Sequence, residues 1–293
     1  MDLNFLFEEK VIEVQELSPG YEDHASDVWL VKTEKKEVVV RTSRMTEEPN
    51  NDFWWGCKNI FGIDQRRVFE LENINNTLSN ITSMPVPRVL NKGKSFSREF
   101  VVVEKLTGEV VQSFVEQPSS VVQSLGEGLA KIHKYRKNYV GSPSGMFKIG
   151  LEEFNQHLKD TMTELVSRYY KEEKDIKDKL IEIKNLLEDI PSPEYSTFVL
   201  VDIDPTQFLS DGKVISGLVD TEAYVIAPRE FDFIGLEYVL DEKSAIDFKI
   251  GYEKVLELPN LSKVRTPYRY LYRLLSVQGD EDLKEWLNHK ELF

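Results

Sequence analysis

The sequence predicts an α+β protein in two parts, a β-rich segment with one main helix over residues 1–106 and a mainly helical segment over residues 107–293. Three observations lead to this reading. At about 150 residues per domain, 293 residues suit two units. Before residue 106, short apolar runs bounded by turn formers prevail. After it, apolar residues recur every three or four positions over long stretches.

The elements follow in order. Val11 to Leu17 reads as a strand, broken by a turn at Ser18-Pro19-Gly20-Tyr21. Val28-Trp29-Leu30-Val31 and Val38-Val39-Val40-Arg41 flank Glu34-Lys35-Lys36 as a hairpin. Met45 to Asn51, polar and interrupted by a proline, reads as a loop, and Trp54-Trp55 reads as a site of burial or partner packing. Val68, Leu71, Ile74 and Leu78 form a helical stripe within a helix expected from about Asp64 to Leu78. Pro85-Val86-Pro87 ends it, because a proline ring cannot continue a helix. Arg88-Val89-Leu90 and Phe100 to Glu104 make a second strand pair, and the boundary falls after Leu106. Gly93-Lys94-Ser95 is no P-loop, since Arg88 stands where the leading glycine belongs.

Beyond the boundary, Val122, Leu125, Leu129 and Ile132 mark an amphipathic helix ending near His133. Two further stripes follow, from Phe154 to Tyr169 and from Ile176 to Ile190. Pro191-Ser192-Pro193 stops the second. A small β cluster comes next: Thr197 to Val201, Phe208 to Ser210, an Asp211-Gly212 turn, and Val214 to Val219. From about Phe231 onward the pattern is helical again.

Composition narrows the function. A net charge of −14 argues against nucleic acid, whose phosphates need clustered cations. It favours cationic or metal-bridged ligands instead. The single cysteine, Cys57, excludes an internal disulfide and a Cys-cluster zinc site, and it fits a reducing, cytoplasmic setting. The acidic start, Met1 to Glu9, is no signal peptide. No run approaches the roughly 20 apolar residues of a membrane span. Oligomeric state is not legible.

The chemistry concentrates in Val201-Asp202-Ile203-Asp204-Pro205-Thr206-Gln207, with Asp220 eighteen positions after Asp202. Carboxylates on loops at strand ends must meet a cation, a metal or water. The Gln207 amide and the Asp220 carboxylate are hard oxygen ligands suited to Mg²⁺, which leaves Asp202 for a substrate hydroxyl. Asp232 reads as a cap or loop brace, and His133 as a packed histidine at a helix end.

This spacing resembles the kinase catalytic loop, and more narrowly the aminoglycoside phosphotransferase and choline-kinase-like superfamily. Leu200-Val201-Asp202-Ile203-Asp204-Pro205-Thr206-Gln207 occupies the place of the His-Gly-Asp-x-x-Pro-x-Asn motif. Leu218-Val219-Asp220-Thr221-Glu222 resembles the Ile-Asp-Trp-Glu segment after it, and Leu125 to His133 resembles the Leu-x-x-x-Leu-x-x-Leu-His helix. Two departures stand out: Leu200 replaces the motif's histidine and Gln207 its asparagine.

The resemblance implies a two-lobed protein-kinase-like fold binding ATP and Mg²⁺ between its lobes. Asp202 would be the catalytic base toward a hydroxyl of a small-molecule acceptor, such as an aminoglycoside or amino alcohol. Gln207 and Asp220 would hold the metal. Arg41 would steady the phosphates with Glu70, or alternatively Glu72, as its helix partner. The hinge from Phe100 to Leu106, with Glu104 and Leu106, would contact adenine through backbone groups, and Ser18 to Tyr21 sits where the nucleotide-covering loop belongs. The helices from Leu151 to Ile190 would line the acceptor site. A non-catalytic nucleotide-binding pseudokinase of the same fold is the alternative that Leu200 and Gln207 keep open, and an acidic helical interaction protein is a third.

Overall fold

A computed structural model describes residues 2–17, 25–277, 279 and 281–293. The expected turn at Ser18-Pro19-Gly20-Tyr21 lies outside the described residues. The first part is an antiparallel sheet of five strands in the order β1-β2-β3-β5-β4, with β1 Val11–Glu16, β2 Ser26–Thr33, β3 Glu37–Ser43, β4 Val89–Ser95 and β5 Arg98–Glu104. Its two faces follow the two-residue period of the valine runs. Val38, Val40, Phe100 and Val102 pack with Leu3 and Leu6 on one face. On the other, Val101 and Val103 meet Val68 and Leu71. Arg41 pairs with Val101 in register, so it projects from this second face.

Two helices lie between β3 and β4 where one was expected: α1, Asp52–Phe61, and α2, Leu71–Ile81. Asn51 caps α1, its side-chain oxygen accepting the Trp54 N–H at 2.8 Å. Gly62 ends it in the left-handed region at φ 73°, where a side chain would be strained. Trp55, Cys57, Ile60 and Phe61 are buried in the core of the helical part, away from the sheet that precedes them. Each such burial contributes about 1.5–3 kcal/mol. The helix expected to begin near Asp64 starts only at Leu71, after a short 3₁₀ turn at Val68–Glu70.

After Glu104 the chain crosses to β6, Glu109–Val110, which pairs with β10, Phe208–Ser210, and not with the first sheet. Helix α3, Ser119–His133, precedes β7, Tyr139–Gly141, and β8, Lys148–Gly150. Helices α4, Phe154–Tyr169, and α5, Lys174–Asp189, then lead to β9, Thr197–Leu200. The Asp211-Gly212 turn joins β10 to β11, Ile215–Leu218, as its sequence predicts. Strand β12, Tyr224–Ala227, lies antiparallel between β7 and β9. Helices α6, Glu230–Val239, α7, Glu242–Tyr252, α8, Arg265–Leu274, and α9, Leu283–Leu287, complete the chain. Among the described residues no helix is long and apolar enough to cross a membrane.

Candidate active site

Antiparallel pairing builds the site. Leu200 at the end of β9 lies opposite Tyr224 at the start of β12. The loop after one strand and the segment before the other therefore meet, bringing Asp202 toward Asp220 and Glu222. Burial pushes the Asp202 carboxyl up to about 7, and the neighbouring Asp204 and Asp220 charges add to the rise. No hydrogen bond from a described residue offsets them.

Gln207 sits between the two segments. Its Nε2 donates to the Asp202 carbonyl at 2.6 Å, its Oε1 accepts the Asp204 N–H at 2.9 Å, and its own carbonyl accepts the Val219 N–H at 2.9 Å. Sequence reasoning foresaw a metal ligand at this position. The observed side chain braces the loop, leaving one lone pair on Oε1 for any further partner. Asp204, in turn, caps the 3₁₀ turn Pro205–Gln207 through the Thr206 N–H at 2.8 Å.

Arg41 crosses from the sheet into this pocket. Its Nε donates to Glu222 Oε1 at 2.9 Å and its Nη2 to Glu222 Oε2 at 2.9 Å and Asp220 Oδ1 at 3.0 Å. Its Nη1 donates to the Val219 carbonyl at 2.9 Å. The expected pairing of Arg41 with Glu70 is not formed, nor is the alternative with Glu72. Glu70 faces Arg67 at 3.5 Å, and Glu72 pairs with Lys92. The physical reason is local: Glu70 ends the 3₁₀ turn before α2 and lies near Arg67, while the inner face of α2 carries Leu71, Ile74, Asn75 and Leu78, leaving Glu72 on the outer face with Lys92. Asn75 is buried there, accepting the Thr221 hydroxyl at 2.5 Å and donating to the Pro87 carbonyl at 2.8 Å. Glu222 is the residue that sequence reasoning missed. Its signal was the acid two places after Asp220, which closes the segment resembling Ile-Asp-Trp-Glu.

Asp220 keeps solvent access, its side chain being 46% exposed, whereas that of Arg41 is 8%. Asp220 Oδ2 accepts no hydrogen bond from a described residue, so it is a hard oxygen ligand open to a further partner. Just past the boundary, the Thr107 carbonyl accepts the Ser216 hydroxyl at 2.9 Å. Leu106 lies against the β10–β11 hairpin beside Gly217. No described residue takes up the Leu106 N–H or C=O. The Glu104 carboxylate is turned away to Arg88, whose N–H it accepts at 3.1 Å.

Asp232 and His133 hold the loop from below. Asp232, in the first turn of α6, is fully buried; its Oδ1 accepts the Leu200 N–H at 2.8 Å and its Oδ2 lies 2.8 Å from His133 Nε2. His133 Nδ1 meets the Tyr252 hydroxyl at 2.9 Å, to which Arg229 donates at 3.0 Å. Burial raises the Asp232 carboxyl, and the hydrogen bond to His133 works against that rise. Asp232 is thus the expected brace, and His133 the expected packed residue. With Asp232 gripping the backbone N–H, an apolar Leu200 suffices where the motif carries histidine.

The sequence pattern of the phosphotransferase enzyme family (APH) matches residues 15–265. The chain belongs to that family. No curated protein sequence matches it. Among solved structures, this phosphotransferase is similar to macrolide 2'-phosphotransferase MphH of Brachybacterium faecium, with 12% identity over 97% of this chain and 96% of that one and a TM-score of 0.60. Spectinomycin phosphotransferase APH(9)-Ia, in complex with ADP and spectinomycin, aligns at 12% identity over 98% and 91% with a TM-score of 0.59. The GDP and kanamycin complex of APH(2'')-IIIa aligns at 16% identity over 97% and 93% with a TM-score of 0.60. The two-lobed, protein-kinase-like arrangement is therefore shared, and the chain is a small-molecule kinase by family.

Proposed function

We propose that this phosphotransferase transfers the γ-phosphoryl of ATP, with Mg²⁺, to a hydroxyl of a small, cationic acceptor such as an aminoglycoside or amino alcohol. The observation that carries the reading is the Asp202 carboxylate, half-buried, without a hydrogen-bond donor among the described residues, and raised to about 7 beside Asp204 and Asp220. Such a group orients an acceptor hydroxyl and takes its proton. The donor set suits a hard cation: Asp220 Oδ2 and the remaining lone pair of Gln207 Oε1 are oxygen ligands at the cleft. Mg²⁺ there would neutralise charge on the transferring group. Arg41 would steady phosphate oxygens, and the free Leu106 backbone groups would receive the base edge, with Glu104 completing the hinge.

The acidic balance of the chain supports a cationic acceptor, as do relatives solved with spectinomycin or kanamycin. Asp202→Ala should abolish ATP consumption in a screen of hydroxyl compounds while unfolding in urea no earlier than the wild type. Undiminished turnover would refute the role.

One observation favours the non-catalytic alternative: the Gln207 amide is committed at both ends to loop backbone. Thermal shift with ATP separates the readings. Stabilisation enhanced by Mg²⁺ supports the enzyme, and stabilisation indifferent to the metal supports the pseudokinase.

A further inference from the structure

Arg41 and Glu222 meet in the two-pronged geometry in which a guanidinium grips a carboxylate, with both contacts at 2.9 Å. Glu222 Oε2 also accepts the Ser26 hydroxyl of β2 at 2.9 Å, so two adjacent strands of the sheet hang on one side chain. The helix that would ordinarily be searched for this carboxylate offers a neutral residue instead. Asn75 occupies the inner face of α2 and binds Thr221, the residue between Asp220 and Glu222.

We propose that Glu222 is the positioning residue of Arg41, setting the guanidinium for a nucleotide phosphate in place of any acid on α2. This rests on the nucleotide-binding reading above. Of the five guanidinium N–H groups, Glu222 takes two, with the Val219 carbonyl and Asp220 taking one each. Among the described residues one Nη1 N–H is left, and the grip of Glu222 on the fork fixes where it points. A further consequence separates this arrangement from a helix-supplied partner. The segment 220–222 holds both the Asp220 oxygen and the guanidinium, so displacement of α2 does not uncouple one from the other.

The test is calorimetric titration of the full chain with ADP, with and without Mg²⁺, for the wild type, Arg41→Met, Glu222→Gln, the double variant and Glu70→Gln. The expected result is a loss of ADP affinity of about tenfold for each of Arg41→Met and Glu222→Gln, present without the metal. The double variant should lose little beyond Arg41→Met, because the two residues act as one unit. Glu70→Gln should match the wild type. Glu222→Asp, which keeps the charge and shortens the reach, should fall between wild type and Glu222→Gln; it serves as the readout if Glu222→Gln fails to fold.

Wild-type affinity in Glu222→Gln, additive losses in the double variant, or an equal loss in Glu70→Gln would overturn the proposal. A loss confined to Mg²⁺-containing buffer would also overturn it, making Glu222 a metal ligand. Failure of the wild type to bind ADP would instead remove the nucleotide reading, and this proposal with it.

Discussion

Replacing Asp202 by asparagine should stabilise the nucleotide-free protein at neutral pH while removing its activity. Unfolded, the carboxyl ionises near 3.8; folded, it holds its proton up to about 7. Between those values the native state binds more protons than the unfolded one, so stability falls as pH rises and levels off above about 7. Each pH unit in that window is worth about 1.4 kcal/mol, which sets an upper value of about 4 kcal/mol, and water reaching the half-buried group reduces it to about 2. Roughly 1 kcal/mol of this should develop between about pH 5 and about pH 7. Asparagine keeps the shape and carries no charge. Urea unfolding of both proteins in chelator-treated buffer, across that range, should show the variant gaining on the wild type as pH rises. Parallel curves would refute the reasoning, because they would mean that Asp202 ionises in the folded state as freely as in water.

Three further outcomes follow from the packing. Asp232→Ala leaves the Leu200 N–H and His133 without their acceptor, so the urea midpoint should drop by the equivalent of about 3–5 kcal/mol; a change below about 1 kcal/mol would show that the brace is replaceable. Gly62→Ala puts a Cβ 2.3 Å from the Phe147 Cβ at a φ of 73°, and unfolding should register a loss of about 2–5 kcal/mol. Glu237 is buried against Arg269 Nη2 at 2.6 Å and Arg265 Nε at 3.3 Å, so Glu237→Ala should cost about 3–5 kcal/mol in thermal or urea unfolding by leaving, among the described residues, buried Arg269 without a side-chain carboxylate and Arg265 with that of Glu291 alone.

Local patterns in the chain announced the strands of the first sheet, β9 and the β10–β11 hairpin, but not the short β6, β7, β8 and β12. The valines of β3 and β5 alternate faces as a two-residue period requires, and Asp211-Gly212 turns where turn chemistry says it must. Helix α1 escaped because Trp54-Trp55-Gly56-Cys57 shows no clean stripe and its buried residues pack against segments far away in the chain. Its stop and start signals, Asn51 and Gly62, were nonetheless present. Asp202, Gln207 and Asp220 were legible as a set because strand ends concentrate them. The partner of Arg41 was not. It lies 181 positions away, and neither period nor spacing reports an ion pair made across two lobes. The orientation of the Gln207 amide was equally hidden, since one extra methylene lets the same group reach either the cleft or its own loop.

Helix α1 bears on how the protein is made. Gly56 rests against Leu275 and Leu165, and the Phe61 ring meets Phe231 at 5.9 Å. On the ribosome, the first sheet can assemble once β5 has emerged, yet α1 must wait for about 170 more residues, up to Leu275, before its seat is complete. During that interval Trp55, Cys57, Ile60 and Phe61 face water on a nascent chain, which makes this ten-residue stretch the natural foothold for a chaperone and the place where truncated products would begin to clump.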